Sequence, residues 1–142
     1  MIDLLPGVKT TASALTAERV RMEIVSQNMA NINTTRGPQG PYQRKQVVFE
    51  AMLKNNLAQP FGWQPSPVVI SRVETDDRPP VLVHRPGHVD ADANGMVAMP
   101  NINVHEELAD LMTASRAFEA NLSVMQTARA MALQTLTIGK RG

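Results

Sequence analysis

Residues 103–139 read NVHEELADLMTASRAFEANLSVMQTARAMALQTLTIG, with no Pro or Gly before Gly139. Asn103 stands just ahead of the run and Glu106 follows three residues later, the spacing of a helix-start capping box with Asn in the place of Ser or Thr. One heptad stripe runs through Val104, Leu108, Leu111, Ser115, Phe118, Leu122, Met125, Arg129, Ala132 and Leu136. A second, of smaller residues, runs beside it through Ala114, Ala117, Val124, Ala128, Met131 and Ile138. The pattern predicts one amphipathic helix from Val104 to Ile138. One stripe asks for one partner helix; two adjacent stripes ask for more than one neighbour.

The nearest partner lies at the other end of the chain. From Val8 to about Ile32 there is again no Pro or Gly, and Val8, Leu15, Met22 and Met29 recur every seven residues beside Leu4, Thr11, Glu18, Val25 and Ile32. This predicts a second long helix, with Glu18, Arg19, Arg21 and Glu23 on a solvated rim. It closes in Asn28-Met29-Ala30-Asn31-Ile32-Asn33-Thr34-Thr35. Asn tolerates the left-handed backbone that ends helices, and its amide can bond a free terminal carbonyl or the backbone of a neighbouring subunit.

Between the helices the chain changes character. Residues 36–46 carry Gly37, Pro38, Gly40 and Pro41 and read as a loop. Val47 to Leu53 is a short apolar run, either strand or helical turn, and residues 55–67 are irregular and contain Trp63. Val68–Val73 and Val81–Val83 are β-prone runs separated by Asp76-Asp77-Arg78-Pro79-Pro80, and Asn94-Gly95 is a two-residue turn signal. The expected fold is mainly α: two long antiparallel terminal helices forming a coiled-coil-like pair, with a small β-rich middle insertion. Residues 1–35 and 104–142 form the helical part and residues 36–103 the outer segment.

Composition narrows the function. The 142 residues suit one domain, and a net charge of +1 offers no basic field for a nucleic-acid backbone. Nine Met with only 4% aromatics suit adaptable helix packing. With no Cys, disulfides, thiolate metal sites and a Cys nucleophile are excluded. Residues 1–7 lack a basic region followed by an apolar core, so no cleaved secretory signal is expected, and no apolar run is long enough to span a membrane.

Candidate chemistry is sparse. Asp90-Ala91-Asp92-Ala93-Asn94-Gly95 resembles the opening of a calcium loop, but the ninth and twelfth positions are Ala98 and Asn101, so a tight polar turn is expected. His84 and His88 are separated by Pro86-Gly87, and with His105 they lack further zinc ligands. Ser13, Ser26 and Ser115 have no evident His and acid partners. Asp76-Asp77 in a Pro-rich turn does not read as the paired carboxylates of a glycan hydrolase. No catalytic residue, cofactor or metal is expected.

The run from Asn28 to Thr34, following an amphipathic helix, resembles the signature of bacterial flagellar axial proteins, the rod, hook and hook-associated subunits. Three further blocks resemble the proximal-rod members of that family: Gly40-Pro41-Tyr42-Gln43-Arg44-Lys45 with Val47-Val48-Phe49-Glu50; Asp90 through Asn103; and Ala114-Ser115-Arg116-Ala117-Phe118-Glu119-Ala120-Asn121. The resemblance implies a subunit of the basal-body rod, exported unfolded through the flagellar type III apparatus into the periplasm. Its terminal helices would form an inner tube that transmits torque from motor to hook. Implied partners are further copies, rod subunits of the FlgB, FlgF and FlgG types, the FliE-type adaptor to the membrane ring, and the export gate.

Interface residues expected from stripes and signature together are Leu15, Met22, Val25, Asn28, Met29, Asn31, Ile32, Asn33, Leu108, Leu111, Ala114, Phe118, Asn121, Leu122, Val124, Met125, Ala128, Met131 and Leu136. The competing reading is a stand-alone helical adaptor or chaperone of a type III-like secretion system, which would be a cooperatively folded monomer.

Overall fold

In a computed structural model of the chain, residues 6–38, 40–51 and 68–139 are described. Helix α1 spans Pro6–Ala30 and helix α2 Val104–Gly139. Between them lie strands β1 (Lys45–Ala51), β2 (Val68–Thr75), β3 (Val81–His84) and β4 (Met96–Met99). Pro6 opens α1 at its first position, where the N–H that proline lacks would have no acceptor within the helix. Asn103 caps α2: its Oδ1 accepts the His105 N–H at 3.0 Å. The reciprocal arm of the capping box differs from the expectation. Glu106 meets the Asn103 side-chain amide at 3.3 Å, since Asn brings an N–H of its own where Ser or Thr would not.

The helices run antiparallel. Asn28 near the end of α1 reaches Glu107 in the first turn of α2, and Arg21, two turns earlier, pairs with Asp110. The interior line of α2 lies between the two stripes read from sequence. Glu107 and Ala114 are its buried residues, while Leu111, Phe118, Asn121, Met125, Ala128 and Ala132 are half-buried along either side. On α1, Ala17, Ile24, Val25 and Asn28 are buried. A small residue at Ala114 lets the two backbones approach closely.

α1 closes without a left-handed Asn, because no described residue other than glycine has positive φ. Instead Asn31 Nδ2 donates at 2.8 Å to the Gln27 carbonyl, which also accepts the Asn31 backbone N–H at 3.1 Å, and Thr34 Oγ1 donates to Asn31 Oδ1 at 3.1 Å.

The insertion forms two separate two-stranded antiparallel sheets, β1–β2 and β3–β4. Of the 47–53 run, residues 47–51 are strand, in an element that starts at Lys45 and thus inside the expected loop; residues 52–67, with Trp63, lie outside the described residues. β1 and β2 pair from Lys45↔Thr75 to Ala51↔Val68, with a bulge beside Val48 and Phe49. Both strands rest on α1. β4 was not anticipated; it carries the buried Val97 and pairs with β3 across the loop 85–95. Asn94-Gly95 closes that loop, with Gly95 at φ 71°. Asp92 Oδ1 accepts the N–H groups of Asn94 and Met96, each at 2.8 Å, so the segment is a polar Asx-type turn. Asp90 instead takes Thr35 and Arg36, at 2.8 and 2.6 Å.

Candidate functional site: a buried polar clasp and two exposed stripes

The clasp is built on Asn28, which is 0% exposed. Its Nδ2 donates to the Lys45 carbonyl at 2.8 Å and to Glu107 Oε2 at 3.0 Å. Its Oδ1 accepts the Lys45 N–H at 2.9 Å and the Tyr42 hydroxyl at 3.1 Å. Both amide donors and both carbonyl lone pairs are therefore used. The amide pairs with the Lys45 backbone as a neighbouring strand would, which fastens β1 to the end of α1. Glu107, also 0% exposed, accepts Arg44 Nε at 2.6 Å on its other oxygen. Arg44 in turn lies 3.8 Å from Asp76, which holds Arg78 at 2.8 Å.

This wiring satisfies a buried carboxylate that would otherwise carry a heavy desolvation cost. It joins both helices, the loop before β1 and the turn after β2. Burial, reinforced by the negative Glu107, raises the Tyr42 hydroxyl above its ordinary value of 10.0. Hydrogen bonds from the Arg78 side chain and backbone hold the Asp76 carboxyl below its ordinary value.

The rest of α2 presents apolar surface that the described residues do not cover. Leu108, Leu122 and Leu136 are exposed at fourteen-residue spacing, and Val124, Met131 and Ile138 at seven-residue spacing. At about 100° per residue, Leu122 lies about 80° to one side of Ala114 and Val124 about 80° to the other. Two stripes therefore flank the seam with α1. Leu136 and Ile138 are 66% and 74% exposed, and every residue from Leu133 to Gly139 is exposed.

The expected interface residues divide accordingly. Leu108, Leu122, Val124, Met131 and Leu136 are exposed, as is Asn33. Leu15, Met22, Met29, Ile32, Leu111, Phe118, Asn121, Met125 and Ala128 are half-buried. Val25, Asn28 and Ala114 are buried within the subunit, where the helix seam and the clasp engage their side chains. Asn31 turns its amide inward to Gln27.

Sequence reasoning missed Glu107, Arg44 and Tyr42 as a unit. Glu107 sits in the first turn beside Glu106, where acidic residues are favoured by the helix dipole alone, and nothing local marks one of the two as buried. Tyr42 is the chain's single Tyr and lies three residues before the start of β1, the only hint available. Among the described residues no cluster of His, Asp and Glu is arranged to hold a metal, and no helix is long and apolar enough to cross a membrane.

Both helical ends match family models. Residues 9–39 match the flagella basal body rod protein model, and residues 93–138 match the flagellar basal body rod FlgEFG protein C-terminal model. The flagellar basal-body rod protein FlgC of Yersinia enterocolitica is 40% identical over 140 residues, spanning 98% of this chain and 100% of that protein. That of Salmonella typhimurium is 41% identical over 129 residues (90% and 92%), and that of Bacillus subtilis 37% over 145 residues (94% and 97%). Full-length similarity at this level, on a two-helix frame with a β-rich insertion, has one consequence: the chain belongs to the FlgC family of flagellar basal-body rod proteins.

Proposed function

We propose that this structural rod subunit polymerises through α1 and α2 to form part of the shaft that carries torque from motor to hook, with residues 36–103 on the outside. The observation that carries the reading is the pair of exposed apolar stripes on opposite flanks of α2. Large unpaired apolar surfaces mark interaction sites, and different patches meeting on successive copies build an open helical array. Neighbours in that array are further copies and rod subunits of the FlgB, FlgF and FlgG types, with a FliE-type adaptor and the export gate at the base. The shaft lies in the periplasm, and the chain reaches it through the flagellar type III apparatus. No step in this role calls for catalysis.

Leu122 tests the reading because it is exposed on the free subunit. Leu122→Asp should leave the purified subunit's thermal melt within about 0.5 kcal/mol of the parent, as surface substitutions do. In cells it should abolish rod incorporation and swimming. Motile cells with normal rods would refute the assignment. A free subunit that is one cooperative helical unit to its last turn would favour the stand-alone adaptor.

A further inference from the structure

The seam of α2 repeats itself. Glu107, Ala114, Asn121 and Ala128 recur every seven residues along its interior line, flanked by Leu111, Phe118, Met125 and Ala132 at the same spacing. Apart from Glu107 these positions are Ala, Leu, Phe, Met and one half-buried Asn, which pack adaptably against the Ala17, Ile24 and Val25 of α1. A seam of that kind accepts α2 displaced by one or two turns at small cost in packing. β1 and β2 rest on α1 rather than on α2, so neither strand stops such a slide. The Arg21–Asp110 pair is only part-buried, and Arg21 also has Glu18 on its own helix at 3.8 Å.

We infer that Glu107 is the register pin of the subunit, fixing the axial position of α2 against α1. Its carboxylate is fully buried and meets two partners already immobilised by other bonds. Asn28 is held by the Lys45 backbone and Tyr42, and Arg44 is placed by the start of β1 and by Asp76. Sliding α2 by one turn would bury the carboxylate against apolar side chains and leave the Asn28 amide short of an acceptor. A single buried polar pair selects one register out of several apolar fits in this way in coiled coils. The consequence concerns assembly geometry: the pin sets where the two outer stripes of α2 stand relative to α1. It goes beyond the rod-subunit reading and does not require it, because it is tested on the free chain.

The absence of Cys allows spin labels at Ala30→Cys and Arg116→Cys, both exposed, one on each helix and about 16 Å apart along the helix axis, an offset that makes their distance sensitive to a slide of α2. The parent and Glu107→Gln, which retains an oxygen for the Asn28 amide, should each give one narrow inter-label distance. Glu107→Met keeps the length and helix propensity but not the acceptor, and leaves the bonds from Asn28 to Lys45 and Tyr42 in place. It should keep its helical circular dichroism and give a second, resolved distance population, from molecules in which α2 is displaced by about 5–10 Å, one or two helical turns. An unchanged narrow distance in Glu107→Met overturns the inference. So does loss of helix in that variant, which would make Glu107 a stability element, and so does a broad distribution in the parent or in Glu107→Gln.

Discussion

Tyr42 reports on the clasp without perturbing it, because it is the only Tyr in the chain. Its raised ionisation means that folding favours the neutral hydroxyl. The stability it lends is complete below pH 10.0 and is lost as pH climbs through the higher folded value. Absorbance titration of the folded subunit should place phenolate formation above the free-tyrosine value, and Glu107→Gln should bring it partway back. A titration at the ordinary value would mean that Tyr42 is not buried beside Glu107. Asp76 has the opposite sign: its depressed carboxyl stabilises above the ordinary carboxylate range, and that contribution fades as pH falls through the folded value. Acid unfolding should therefore start at higher pH in Arg78→Ala than in the parent. Gly95 is the one described turn position where a side chain would both force positive φ and press a Cβ to 3.0 Å from Pro86. Gly95→Ala should cost about 1–2 kcal/mol or more in a denaturant melt.

The helices obey their sequence at the ends and depart from it along their faces. Asn103 caps α2 as its spacing predicts, and Asn103→Ala should lower stability by about 1 kcal/mol, read as a shift in the melting midpoint. The period of the apolar residues was enough to find both helices, since 3.6-residue recurrence over many turns has no other cheap explanation. It was not enough to orient α2, because the two stripes are nearly equal and the buried line between them is marked by Ala114 and a charged Glu107. A buried Glu is invisible to hydrophobic patterning; only its partners, Arg44 and Asn28, distant in sequence, make its burial tolerable. β4 escaped notice for a related reason: Met96–Met99 is too short to show alternation, and its strand character comes from pairing with β3. The three Asn of the signature proved to have three different fates, a hub at Asn28, a helix-end amide at Asn31 and an exposed side chain at Asn33.

Among the described residues, burial in the helical part is concentrated at the clasp and the adjoining seam. Asn28 and Glu107 are buried at the clasp and Ala17, Ile24, Val25 and Ala114 along the seam, whereas α2 beyond Ala132 has only exposed residues. A helix whose far turns touch little frays, while turns packed into the core open only with the whole fold. In the proposed shaft such a helix pair would gain further stability from neighbours, which is the physical content of folding on assembly. The exposed Leu108, Leu122 and Leu136 line and the Val124, Met131 and Ile138 line are the surfaces those neighbours would cover. Hydrogen exchange on the free subunit and on isolated rods tests this most directly. The account predicts slow exchange around residues 24–28 and 107–114 in both states, with residues 119–139 exchanging fast when free and becoming strongly protected in the rod. Equal protection of residues 119–139 in the two states would contradict it.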